Sequence, residues 1–288
     1  MQAVLILAHK DAEQVLKLSK ILSSHFLVYI HFDKKYHLPV ELKNELTSIK
    51  GVYVYSEITV NWGSFSIGEA AFLLMREALK NENVSYIHLI SGQDWPTKNI
   101  KQIYDFYENN DKIYLTYGLA EEEVKSGEPV IYWQKFYFDY DKINRKSLFG
   151  KVYHRISIKL QSFLKVDKFR DLGITLPIYQ GANWCDLPRD AAIYCIKYLD
   201  ENENFHKMLS TGFCTDEVVV QTILCNSLYK NRIENCHHRY MKWEKRYNSY
   251  PAILDMSDYE DIKKGNYHFA RKIDGSISEM LIDKLEII

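Results

Sequence analysis

The chain has 288 residues, a formal charge of −1, 47% hydrophobic and 26% charged residues, and an unusually aromatic set of 22 Tyr, 13 Phe and 5 Trp. That composition excludes a disordered chain and is long enough to bury a proper core as one large domain or two small ones. Acidic and basic groups nearly cancel, so no nucleic-acid partner is expected and any charged ligand must meet a local cluster.

In chain order, residues 4–8 form an apolar run of strand length, followed by the polar turn His9-Lys10-Asp11. The start of the chain reads as a buried first strand rather than a leader, and no run of about 18 apolar residues suggests a membrane span. Residues 12–22 show helical spacing through Val15, Leu18 and Leu22. Strands are predicted over 26–32, 52–55 and 86–90, and a helix over 66–79 with Ile67, Ala70, Ala71, Leu74 and Ala78 on one side. Continuous apolar strands alternating with helices predict an α/β fold whose mainly parallel sheet is flanked by helices. Ligands gather at the carboxyl ends of such strands, where His9, Asp33 and Asp94 stand.

Residues 118–180 are less regular, with the acidic run Glu121-Glu122-Glu123 and the aromatic segment 132–137. Lacking a Pro/Gly-rich linker, the chain is expected to form a single domain with a long middle insertion. Residues 1–117 would be the nucleotide-binding half, and 118–288 the acceptor side with the base and a phosphate-binding segment. Helices are predicted over 190–198 and 216–228, with a Gly-containing turn at Gly181 between the insertion and the first of them.

Glycine-rich phosphate loops (GxxxxGK[ST], GxGxxG), HExxH and GxSxG are absent. Asp139-Tyr140-Asp141 does not end an apolar strand, so a divalent-ion site for nucleotide phosphates is unsupported. Five cysteines with no CxxC spacing argue against a disulfide scaffold, and the adjacent Cys236-His237-His238 cannot easily converge on one ion. Glu217, opening an apolar helix after Thr215, is either a first-turn acid behind an N-cap or a general base facing a cleft. Arg271-Lys272, and more distantly Arg239, could neutralise a diphosphate leaving group, or could be solvated surface cations. Asp33 could bind a ribose or base, or simply end its strand. Trp62, Trp95, Trp133 and Trp184 are sugar platforms or core aromatics.

Taken in order, eight short blocks resemble the core-2/I-branching β-1,6-N-acetylglucosaminyltransferase family, which also contains the peptide O-xylosyltransferases. They are Leu5-Ile6-Leu7-Ala8-His9-Lys10, Tyr29-Ile30-His31-Phe32-Asp33, Trp62-Gly63-Ser64, the run from Leu89 to Pro96, Gly181-Ala182-Asn183-Trp184, the run from Asp216 to Thr222, the run from Arg239 to Trp243, and Phe269-Ala270-Arg271-Lys272. The resemblance implies a glycosyltransferase A-type fold and inverting transfer from a UDP-sugar, without a divalent metal or other cofactor. It places Glu217 as the base that deprotonates the acceptor hydroxyl. Lys272, Arg271 and, less closely, Arg239 would bind the diphosphate. Leu7, Ala8, His9 and Asp33 would flank the uridine, and Asp94, Trp95, Asn183 and Trp184 the sugars.

Asn183 stands where the xylosyltransferase branch resembles an Asp before the Trp, and an amide cannot take a proton. This departure favours Glu217 as base and GlcNAc over xylose as the transferred sugar. Vertebrate members are membrane-anchored and disulfide-bonded, so a chain without those features resembles a bacterial, cytoplasmic version. Its acceptor would be a glycan or lipid-linked glycan, met by the variable middle segment. The basic stretch 151–168, with Ile156, Leu160 and Phe163 on one face, allows peripheral attachment at the inner face of the membrane; a helix packed on its own domain is the preferred reading. A carbohydrate- or nucleotide-binding module without catalysis, or a xylosyltransferase using UDP-xylose, are the competing functions.

Overall fold

The strand β1 (Gln2–Ala8) is the middle of the architecture, and the computed structural model describes residues 1–286 around it. The first half alternates as expected: α1 (Ala12–Leu22), β2 (Leu27–Phe32), α2 (Val40–Ser48), β3 (Val52–Tyr55), α3 (Ser66–Leu79) and β4 (Tyr86–Ser91). β5 (Asp94–Pro96), α4 (Ile100–Tyr107) and β6 (Ile113–Leu115) follow. The insertion carries short strands β7 (Gly118–Leu119), β8 (Val124–Lys125) and β9 (Glu128–Pro129), then α5 (Ile131–Lys135), α6 (Leu148–Phe163) and α7 (Lys168–Leu172). β10 (Tyr179–Gln180) leads into β11 (Cys185–Pro188), α8 (Arg189–Glu201) and α9 (Glu203–Ser210). The remainder contains α10 (Val219–Cys225), β12 (Ile233–Asn235), β13 (Arg239–Met241), α11 (Tyr259–Lys264), β14 (Phe269–Arg271) and α12 (Glu279–Glu286).

The main sheet has seven strands in the order β12-β6-β11-β4-β1-β2-β3. Only β11 runs against its neighbours, so the sheet is mainly parallel. Side chains leave a strand alternately to either face. Ala3, Leu5, Tyr29 and Leu89 therefore enter one apolar layer, and Val4, Ile6, Val28, Ile30 and Ile90 the other. The first layer is covered by α3, α8 and α10, and the second by α1, α4 and α12. Burial on both faces explains why these strands read as unbroken apolar runs.

Local chemistry fixes the turns that matter. Asp11 caps α1 by accepting the Gln14 amide at 3.1 Å while its own backbone is left-handed (φ 50°). The helix predicted over 216–228 is broken into a 3-10 turn over Thr215–Glu217, then α10, then a second 3-10 turn over Leu228–Arg232. The reason lies in two diverted groups. The Glu217 carbonyl accepts the Gly181 amide at 2.9 Å instead of closing a helical turn, and the Thr215 hydroxyl donates to the Leu209 carbonyl at 3.0 Å instead of capping. The N-capping role for Thr215 is thereby corrected.

Candidate active site

β1, β2 and β4 end side by side, and backbone hydrogen bonds tie their ends together. The Gly92 amide donates to the Leu7 carbonyl at 2.9 Å, and the Asp33 amide to the Ala8 carbonyl at 2.8 Å. Above this edge sits a three-stranded sheet, β13-β14-β5, in which Arg271 registers opposite Asp94. Asp94 is fully buried. Its Oδ2 accepts the Ser91 amide at 2.7 Å, the Ser91 hydroxyl, and the Arg271 guanidinium at 3.2 Å, while Oδ1 has no partner. The guanidinium lies 4.4 Å from the ring centre of Trp184, held between a carboxylate and an aromatic face. Asp94 and Trp184 thus orient Arg271. The sugar-binding role given to Asp94 is corrected, because a sealed carboxylate cannot reach a hydroxyl of a ligand in the cleft. Trp95 is likewise wholly buried in the second core layer and is not a sugar platform.

Around Arg271 positive charge accumulates. Burial, and then the charges of Arg271, Lys146 and Lys10, push the Lys272 ammonium down to about 8. The same three cations act after burial on His9, lowering its pKa and keeping the imidazole neutral. Lys10 is paired with Asp274 at 3.1 Å and Arg271 with Asp94. Among the described residues, Lys146 and Lys272 have no carboxylate within ion-pairing distance; Lys146 instead lies 5.0 Å from the ring centre of Trp62, which is half exposed. Sequence reasoning named Arg271, Lys272 and His9 but missed Lys146. Its only signal was the adjacent pair Arg145-Lys146 in the irregular insertion. Asp33 borders this region: Oδ1 accepts the Lys35 and Val60 amides at 3.0 and 3.1 Å, and Oδ2 lies 3.6 Å from the Lys35 ammonium.

Glu217 approaches from the other side. Lys125 donates to its Oε2 at 3.0 Å and to Gln180 Oε1 at 2.6 Å, and both charged side chains remain about a third exposed. Beside it, burial and then the charge of Glu217 hold Asp216 well above the usual carboxylate range. One short segment links Glu217 to the cationic shelf: Gly181 bonds the Glu217 backbone, and Trp184 underlies Arg271. Those three steps of chain span at most about 11 Å. Gly181 is required there, because a Cβ would lie 1.8 Å from the Thr116 carbonyl oxygen. Asn183, in the same segment, is half-buried.

Arg239 is not part of this site, and its diphosphate role is corrected. Its side chain and that of Asp186 are wholly buried. The guanidinium pairs with both Asp186 oxygens, at 2.7 Å from Nη2 to Oδ1, and Nη2 also donates to the Leu89 carbonyl at 3.1 Å. Tyr107 and His88 complete the shell of Asp186 at 2.9 and 3.0 Å. Arg239 holds this carboxylate far below its usual range against the cost of burial, and no charge is left over for a ligand. Cys236 and His238 lie beside this knot. Among the described residues no group of three or more His, Cys, Asp or Glu could hold a metal ion.

The Core-2/I-branching enzyme family matches residues 3–264. The chain belongs to that family, and it is a glycosyltransferase. No curated protein matches it. Solved structures similar to it include core-mannan synthase A (CmsA/Ktr4) from Aspergillus fumigatus in its Mn/GDP form, at 10% identity over 81% of this chain and 72% of that one, TM-score 0.41. TarS of S. aureus, residues 1–349 in complex with UDP-GlcNAc, is 13% identical over 46% of this chain and 43% of that one, TM-score 0.31. The chain thus spans less than half of that TarS fragment.

Proposed function

We propose that the protein is an inverting glycosyltransferase that moves a sugar from a UDP-sugar to a hydroxyl of a glycan acceptor, with Glu217 as general base and no divalent metal. The observation that carries this reading is the surplus of cations at the strand ends, joined to Glu217 by the segment from Gly181 to Trp184. In the reaction, the Glu217 carboxylate takes the proton of the acceptor hydroxyl, whose oxygen attacks the anomeric carbon as the bond to the diphosphate breaks. Attack opposite the leaving group inverts the anomeric centre in one displacement. Arg271 and Lys272 meet the charge that develops on the departing diphosphate, the task a metal ion performs in other nucleotide-sugar sites. The strand ends at Leu7, Ala8 and His9, together with Asp33, flank the uridine. GlcNAc is preferred to xylose because Asn183 offers no proton acceptor near the base.

The test pairs two readouts on Glu217→Gln. Transfer should fall by about 10²–10⁴-fold while UDP affinity stays at the wild-type level. Near-normal transfer by this variant would remove Glu217 from the role of base. A panel of nucleotide sugars in a thermal-shift series names the donor, since only ligands of the folded state raise the midpoint.

A further inference from the structure

A water-facing helix is expected to be polar on its outer side, and α6 is the reverse. Gly150 and His154 face the body of the protein and are buried. His154 Nε2 lies 2.8 Å from Glu128 Oε2, and the Gln161 amide group makes two hydrogen bonds of 2.8 Å with the backbone of Tyr137. A Cβ at position 150 would lie 2.0 Å from the Asn144 carbonyl oxygen, so the helix is pressed against its neighbour there. These three positions fix the rotation of the helix. On the opposite side Phe149, Val152, Ile156, Leu160 and Phe163, at steps of three and four residues, are 47–83% exposed. They make one apolar stripe along a helix about 24 Å long.

The charge beside that stripe has one sign. Between positions 142 and 166 the chain carries seven Lys and Arg and no Asp or Glu, although its overall balance is −1. Lys151, Arg155 and Lys159 lie exposed along one flank of the stripe. An outward apolar ridge with a basic flank is the pattern of a helix that lies in a lipid interface, ridge in the acyl boundary and cations among anionic headgroups. An antiparallel symmetric pair of copies fits poorly, since its two-fold contact would bring the same basic flanks together.

We infer that α6 docks the protein onto an anionic lipid surface. The helix does pack on its own domain, through the face with Gly150, His154 and Gln161 and through Tyr153 and Ile158, and the apolar stripe is what that packing leaves exposed. Lys146, which stands two residues before α6, belongs to the cationic shelf, so docking holds the cleft beside the lipid headgroups. The inference stands apart from the role of Glu217, and its test uses no catalytic readout.

The experiment is cosedimentation of the full chain with vesicles of phosphatidylcholine alone and of phosphatidylcholine mixed with phosphatidylglycerol. Binding should require the anionic lipid, weaken with added salt, and fall on the order of a hundredfold in Ile156→Glu/Leu160→Glu. Arg155→Glu/Lys159→Glu should weaken it through charge alone. All four side chains are exposed, so the thermal midpoint should stay unchanged. Absence of sedimentation with anionic vesicles would overturn the inference, as would binding that both variants retain. Sedimentation equilibrium giving a dimer that Ile156→Glu/Leu160→Glu dissolves, without vesicle binding, would assign the stripe to a second copy and likewise overturn it.

Discussion

Arg239 and Arg271 occupy neighbouring strands of one small sheet, where Met241 registers with Arg271 and Arg239 with Phe269. Their surroundings differ completely. Arg239 is sealed, and its charge is cancelled by a buried carboxylate whose other partners are Tyr107 and His88. Arg271 is partly exposed, shares its carboxylate with Ser91, and is followed by a lysine that, among the described residues, has no carboxylate within ion-pairing distance. Burial with full neutralisation makes a fastening. Surplus charge on an open shelf makes a place for an anion, because only a ligand can relieve it.

The comparison breaks first at Asp186. Asp186→Ala leaves the Arg239 guanidinium buried and unpaired, and should lower stability by about 3–5 kcal/mol in chemical denaturation. A midpoint equal to wild type would show that the knot is no fastening. Lys272→Ala should do the opposite, leaving the midpoint level or higher as repulsion is relieved, whereas Arg271→Ala strips the buried Asp94 carboxylate of its cation and should lower the midpoint. Lys272→Ala should weaken UDP binding about ten- to a hundredfold, the worth of a charge-assisted contact.

A smaller effect sharpens the same contrast through pH. Lys272 is neutralised as pH rises through about 8, and an anion binds its charged form. UDP affinity should therefore be flat at lower pH and fall by at most about tenfold per pH unit above that point. Calorimetric titrations at stepped pH check this, and the inflection should be missing in Lys272→Ala. A wild-type profile that stays flat through pH 9 would remove Lys272 from the shelf.

The strand-and-helix rhythm of the first half was legible because unbroken apolar strands and the Val15, Leu18, Leu22 spacing are local signals. Helices 12–22 and 66–79 coincide with α1 and α3. The break before α10 was not legible, since it depends on Gly181, distant in sequence, taking the Glu217 carbonyl. α2 was missed because only Leu46 of its nine residues is buried, which leaves no apolar face to read. The antiparallel β11 was hidden by its polar Asp186, whose partner Arg239 comes 53 residues later. At the site, short motifs pointed to Arg271 and Lys272 and, less closely, to Arg239. Only burial separates them. Lys146 was invisible, because nothing local says that the insertion folds back over the strand ends.

The central claim is that the shelf of Arg271 and Lys272 binds the diphosphate of the donor without a metal ion. Isothermal titration of UDP into the wild-type protein, with and without a chelator, tests it most directly. The account predicts one site whose affinity is the same in both titrations. Binding that disappears with the chelator would contradict it.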